Sequence, residues 1–191
     1  MSALWCLAFA LGARLGVLLP VLAVLAVVVN ASILIAVPSV RALLVPRARD
    51  IFIGVGVGGF SLAATYGLYP FLRALWPPVV DDVHYLYATL PSSLASLPIV
   101  VGIVCAEELL WRGAVIEALR ADHPKVTAAV LSSMLYASAQ LGLGVVILGV
   151  LGVLLGTIWA LQAVWTRRLV SSLIAHAIWT VTVFALVPLE R

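Results

Sequence analysis

Cys105-Ala106-Glu107-Glu108-Leu109-Leu110-Trp111-Arg112-Gly113 places two carboxylates and a guanidinium at the end of an apolar run that begins near Leu94. Ionisable groups at membrane depth cost at least a few kcal/mol each, so where they occur they mark a site. On a helix, Glu108 and Arg112 share a face, with the acid N-terminal to the base, the better order for an ion pair. Glu107 points about 100° away from Glu108 around the same helix, so the two carboxylates are expected to find different partners. The plainer reading is an amphipathic helix end with solvated charges. The apolar surroundings argue against it.

Composition around this stretch bounds the class. Of 191 residues, 64% are hydrophobic and 10% are charged, with a mean hydropathy of +1.22. Soluble domains carry about 25% charged residues. The expected fold is all-α, a polytopic membrane helix bundle of about six transmembrane helices of roughly 20 residues, forming one integral membrane domain over 1–191. A net charge of +3 without a basic stripe excludes a nucleic-acid partner; the lipid bilayer is the expected surrounding. Cys6 and Cys105 both lie in apolar context, so neither a disulfide framework nor a zinc site is indicated. Cys105 reads as a packed thiol. No cluster offers three or four ligands, so no metal and no cofactor are expected.

The spans follow from apolar length. The first is Leu15–Val37, with Ala3–Ala13 either extending it or lying along the interface. The second, Ile51–Trp76, contains Gly54-Val55-Gly56-Val57-Gly58-Gly59. This matches a dinucleotide fingerprint formally, but no polar loop follows, and close helix packing explains it better. Pro77 to about Ser93 reads as a solvated loop, Asp81, Asp82 and His84 included, rather than as a metal site. Span three is Leu94–Leu119, followed by a turn in which His123 is expected in solvent. Span four is Val126–Leu143. Gly142 and Gly144 then mark a tight connection to span five, Val145–Trp165, whose Gly152-x-x-x-Gly156 is a packing face. Span six is Leu169–Leu186. The loops after spans one, three and five hold Arg41, Arg47, Arg49, Arg120, Lys125, Arg167 and Arg168, which the positive-inside rule places in the cytoplasm, with both termini outside.

Three spans each carry a polar pair one helical turn apart: Glu108 with Arg112 (beside Glu107), Tyr136 with Gln140, and His176 with Thr180. Such groups at membrane depth perform hydrolysis by trapping water and polarising a carbonyl. A carboxylate serves as general base, and an imidazole and a hydroxyl donate to the developing oxyanion.

In this order and spacing the residues resemble the CPBP family of intramembrane glutamic endopeptidases, which includes the CAAX prenyl endopeptidases and Abi-like relatives. Glu107-Glu108-Leu109-Leu110-Trp111-Arg112 meets the family's Glu-Glu-x-x-x-Arg motif. Tyr136-Ala137-Ser138-Ala139-Gln140 falls on its Phe-x-x-x-His, and His176-Ala177-Ile178-Trp179-Thr180 on its third motif, His followed four residues later by Asn or a small or apolar residue. The likeness covers about 93–187. It implies that Glu107 activates water, that Glu108 and Arg112 shape the site, and that His176 and Thr180 line the oxyanion pocket. Tyr136 and Trp111 are the candidates for contacting substrate, which would be a membrane-anchored protein or peptide. Gln140 stands where the family has a second histidine. Glutamine hydrogen-bonds but exchanges no proton near neutral pH, so the implied mechanism either runs on Glu107 alone or has been lost.

Short bacterial members of the family include myxosortase-like C-terminal sorting proteases, which cut membrane-anchored tails. The small size suits that role, but nothing in the sequence separates it from that of a general membrane protease, and the bacterial inner (cytoplasmic) membrane is the expected location. Two readings from other classes stay open: an inactive scaffold that binds transmembrane segments, and a small proton or ion transporter. A transporter would favour broken helices and internal repeats, which the sequence does not display. A scaffold would tolerate Glu107→Gln.

Overall fold

Glycine and proline divide the apolar sequence into helices. Gly16 (φ 67°) turns the chain between the first two, and Gly144 (φ 76°) closes the connection before the fifth span. Both lie in the left-handed region, where any side chain would be strained. The computed structural model describes residues 2–89 and 96–190. Its elements are α1 (Ser2–Arg14), α2 (Leu18–Ala36), α3 (Pro38–Leu43), α4 (Ala48–Leu75), α5 (Val79–Thr89) and α6 (Leu97–Glu107). A π-helical stretch, Glu108–Val115, then leads into α7 (Ile116–Leu119). The chain continues with α8 (Lys125–Gln140), a 3-10 turn (Leu141–Leu143), α9 (Val146–Thr166), and α10 (Leu169–Val181), which ends in a second π turn, Thr182–Leu186.

The protein is an all-α polytopic membrane bundle. Five helices are long and apolar enough to cross a bilayer: α2, α4, α8 with its 3-10 turn, α9, and α10 with its π turn. Where the sixth span was expected, an unbroken helical run covers 97–119 with its middle π-helical, and it is not among these five; its expected start at Leu94 lies outside the described residues. Large apolar side chains such as Val24, Val27, Phe52, Phe60 and Phe71 face outward, a surface suited to lipid and not to water.

Small residues set the packing. On α4, a Cβ at Gly54 would lie 2.7 Å from the Ile174 Cβ and one at Gly58 3.2 Å from the Ala175 Cα, so α4 rests directly on α10. Gly56 and Gly59 meet nothing, so only alternate glycines of the run do this work. A Cβ at Gly152 would sit 2.8 Å from the Ala137 Cα, which holds α9 tightly against α8. Without a hydrophobic driving force between helices in lipid, such close backbone approach is what joins them.

Three expectations change. Residues 3–13 do not extend the first span, because the turn at Gly16 separates them from it. They form α1, which folds back over α8 and the 3-10 turn, burying Trp5 and Phe9. Gly142 permits this, because a Cβ there would fall 2.5 Å from the Cys6 carbonyl oxygen. The segment after Pro77 is largely helix, not a solvated loop. Val79, Val83 and Leu86 recur at helical spacing and are buried, while Asp81 and His84 stay in the open. Its Asp82 accepts a hydrogen bond from the Ile147 N–H at 3.1 Å, serving the exposed amides at the start of α9 from another element. The third change is the π-helical stretch itself, where an ordinary helix was expected.

The arginine-rich connections meet at one end of the bundle, where Arg168 Nη1 donates to the Ala42 carbonyl at 2.6 Å. At the other end, Glu190 accepts from the Tyr69 hydroxyl at 2.7 Å and pairs with Arg73 at 3.4 Å, and Tyr87 donates to the Val183 carbonyl at 2.8 Å.

Candidate active site

The apolar residues of α6 carry Glu107 and Glu108 into the interior, where consecutive helical positions aim them apart, and a π-helical stretch begins at Glu108. π-helical turns recur at functional sites. Here the Trp111 carbonyl accepts a 2.6 Å hydrogen bond from the Ser132 hydroxyl of α8. Gly113 lets this helix approach α3 and α10, since a Cβ there would lie 3.1 Å from Val40 and 3.3 Å from Leu169.

Glu107 and Glu108 have no direct partner in common except His176. The Glu107 Oε1 accepts from Gln140 Nε2 at 2.8 Å and its Oε2 from the Tyr136 hydroxyl at 3.1 Å. The Glu108 Oε1 pairs with Arg112 Nη1 at 3.2 Å and lies 2.9 Å from His176 Nδ1. All five residues bonded here, and His176 with them, are buried. An ionised Glu108 accepts from a protonated Nδ1, which turns Nε2 of the same ring toward Glu107, 3.6 Å from its Oε2. That gap is too long for a direct hydrogen bond and suits a bridging water. The result is a chain Arg112–Glu108–His176–Glu107 that fixes the ring orientation and leaves one imidazole nitrogen and one carboxylate side by side.

Two further groups hold the chain in place. Trp159 of α9 stacks on the His176 ring with centroids 4.0 Å apart and planes 22° from parallel. The Arg112 guanidinium lies 4.5 Å over the Tyr136 ring and 5.6 Å from that of Trp159, while its Nη2 donates to the Gly156 carbonyl at 3.4 Å. Gly156 makes this room, because a Cβ there would stand 3.1 Å from Tyr136 and 3.3 Å from Arg112 Nη2. Sequence reading placed Gly156 on a packing face but missed Trp159 altogether. The available signal was its position three residues after Gly156, one turn along the same face.

Glu107, Tyr136, Gln140, His176 and Thr180 all line one cavity of about 100 Å³, walled mainly by apolar side chains. This is room for several waters. Glu108, Arg112 and Trp111 stand behind that wall. Trp111 is packed against Tyr136, ring centroids 6.0 Å apart, and does not reach the cavity. Cys105 lines a separate apolar pocket with Asn30 and Glu108. His84 and His123 are exposed. Among the described residues, no group of three or more His, Cys, Asp or Glu is placed to hold a metal ion.

Residues 89–182, about half of the chain and nearly all of the motif-bearing region, match the family described as type II CAAX prenyl endopeptidase, Rce1-like. The chain belongs to this family. No curated protein and no solved structure matches it. The Rce1-like family is a protease family, so the buried constellation lies in a membrane protease, and its substrates are membrane-embedded proteins. The match spans α6 through α10, so Arg112, Tyr136, Gln140 and His176, the hydrogen-bond and ion-pair partners of Glu107 and Glu108 named above, fall inside it.

Proposed function

We propose that this Rce1-like protein is an intramembrane endopeptidase in which Glu107 activates water without a metal ion. One observation carries the reading: both Glu107 oxygens are held by neutral donors on a cavity wall, with the free imidazole nitrogen of His176 alongside. Water held between Glu107 Oε2 and His176 Nε2 gives its proton to the carboxylate as its oxygen attacks the scissile carbonyl carbon. The tetrahedral oxyanion forms in the pocket lined by His176 and Thr180, where the Thr180 hydroxyl donates to it. Glu107 then passes the proton to the departing amide nitrogen, the C–N bond breaks, and a carboxylic acid and an amine leave. Glu108 and Arg112 act through His176 by fixing its tautomer and direction. Tyr136 contacts both Glu107 and the cavity, and Trp111 contributes by backing Tyr136.

In this scheme Gln140 orients rather than exchanges a proton. Its amide fulfils the positional role at 2.8 Å, so the departure from histidine leaves the base in place. The substrate is a membrane-anchored protein or peptide tail, cut in the manner of C-terminal sorting, and the setting is a bacterial inner membrane. The deciding experiment is co-expression with candidate tail-anchored substrates. Wild type should cleave and Glu107→Gln should not, with both variants present in membranes at equal levels. A second reading rests on Gln140: if wild type cuts nothing and Gln140→His does cut, the natural protein is an inactive relative that binds transmembrane segments. Cleavage that persists in Glu107→Gln removes the glutamic mechanism.

A further inference from the structure

The cavity has a direction. Its deepest wall residues, Glu107, Tyr136, Trp159 and His176, lie near the middle of their helices. From there it follows three helix faces the same way. On the helix containing Glu107, Ile103 and Val100 continue the wall toward Ser96; on α9, Leu155 and Leu148; on α10, Thr180 and Phe184. The side chains of Phe9 from α1 and of Leu19 and Leu22 from the first turns of α2 complete it. Among the described residues, none from 23–95, 108–135 or 160–175 lines it, so nothing at the arginine-rich end takes part.

The charges of the two ends differ sharply. The end away from the mouth carries Arg41, Arg47, Arg49, Arg120, Lys125, Arg167 and Arg168 against Asp50, Glu117 and Asp122. The mouth end carries Asp81, Asp82 and Glu190 against Arg14 and Arg73. Lys and Arg concentrate on the cytoplasmic side of short connections, while Asp and Glu contribute little. Glu107 lies about 15 Å along its helix from Leu97, half of a hydrocarbon core of about 30 Å.

We infer that the active-site cavity opens on the extracytoplasmic side, so that the substrate is an apolar membrane anchor whose outward half unwinds into the cavity, and not a prenylated cytoplasmic C-terminus. This rests on the endopeptidase reading for its chemistry, while the orientation stands on charge and cavity shape alone. The walls fit such a segment. They are mainly apolar from the mouth to Glu107, with Ser96 and Thr180 as uncharged polar exceptions, so a charged side chain entering the cavity would lose its hydration and gain no counter-charge above the carboxylate. An extended backbone brings its own carbonyls to the polar floor, where Glu107 and His176 wait.

The test separates the two claims. In a chain with Cys6 and Cys105 replaced by Ala, single cysteines are placed at the mouth (Ala185→Cys, with Leu148→Cys as the second variant) and at the opposite end (Ala121→Cys). A membrane-impermeant maleimide applied to intact cells should label the mouth cysteines severalfold more than Ala121→Cys, and inverted vesicles should reverse the order. Labelling of Ala121→Cys alone from outside, or equal labelling of both ends, overturns the orientation. Two reporters are then co-expressed, one with an uncharged anchor tethered to an outside domain and one with a prenylated cytoplasmic tail. Cleavage of the first alone, lost in Glu107→Gln, is the expected result. Cleavage of the prenylated tail alone overturns the inference and keeps the endopeptidase reading. Outside labelling with neither reporter cut overturns the endopeptidase reading and leaves the orientation standing.

Discussion

Glu107 and Glu108 are neighbours in sequence and opposites in surroundings. Glu107 sits on the cavity wall and is held by two uncharged donors, Gln140 and Tyr136. Glu108 is sealed behind the wall against Arg112 and His176, with its side chain 1% exposed. A carboxylate that must collect and release a proton needs neutral neighbours and access to water. A carboxylate that must hold an imidazole still needs a fixed cation and no water at all. One widened helical turn supplies both conditions from adjacent residues, and the comparison predicts different responses to the same change.

The largest expected effect is on chemistry. Glu107→Gln should lower the cleavage rate by on the order of 10²–10⁴-fold, the usual cost of losing a general base, without altering thermal stability in detergent. Glu108→Gln should instead lower both, since it leaves Arg112 without its counter-charge and lets the His176 ring turn. If the two variants behaved alike, the division of roles would be wrong.

Next in size is the ion pair. Arg112→Leu strands Glu108 as a buried charge, and breaking such pairs costs about 3–5 kcal/mol. A thermal-shift measurement should detect it, and Arg112→Leu combined with Glu108→Leu should recover much of the loss while activity stays absent. Persistence of the full loss in the double variant would assign it to the stacking of Arg112 on Tyr136 rather than to charge.

Gly156→Ala probes the space behind both carboxylates. The added Cβ would meet Tyr136 at 3.1 Å and Arg112 at 3.3 Å. Overpacking of this kind costs about 1–3 kcal/mol, and activity should fall with stability because Tyr136 is pushed toward Glu107. Wild-type melting and wild-type rate together would show that α9 yields freely there.

A purely local effect, on rate and not on folding, is expected at Tyr136→Phe, which removes one hydrogen bond to Glu107 and leaves Gln140 in place. A hydrogen bond to a charged group contributes about 1.5–3 kcal/mol, so the rate should drop by roughly ten- to a hundredfold, well short of Glu107→Gln. A loss equal to that of Glu107→Gln would make Tyr136 part of the chemistry rather than a holder of the base.

Hydropathy and spacing determined a good deal of this protein. Apolar runs long enough to span a bilayer, the paired residues one turn apart on three of them, and the small residues at Gly54, Gly152 and Gly156 are properties of consecutive sequence, and a helix in lipid must satisfy its backbone locally. The all-α membrane bundle was therefore legible, as were the positions of Glu107, Tyr136, Gln140, His176 and Thr180 on facing helices and the separation of Glu107 from Glu108. What tertiary packing alone decided involves partners far apart along the chain. Trp159 reaches His176 only because α9 lies against α10; Asp82 serves the start of α9 only because α5 packs across it; and Trp111 withdraws from the cavity because Tyr136 stands in front of it. Along the π-helical stretch, Ser132 of α8 donates to the Trp111 carbonyl and Gly113 lies against Val40 and Leu169, contacts with residues distant in the chain. Periodicity fixes which face of a helix is apolar. It does not fix which neighbour covers that face, because in lipid that choice falls to shape and hydrogen bonding between helices, with little help from hydrophobicity.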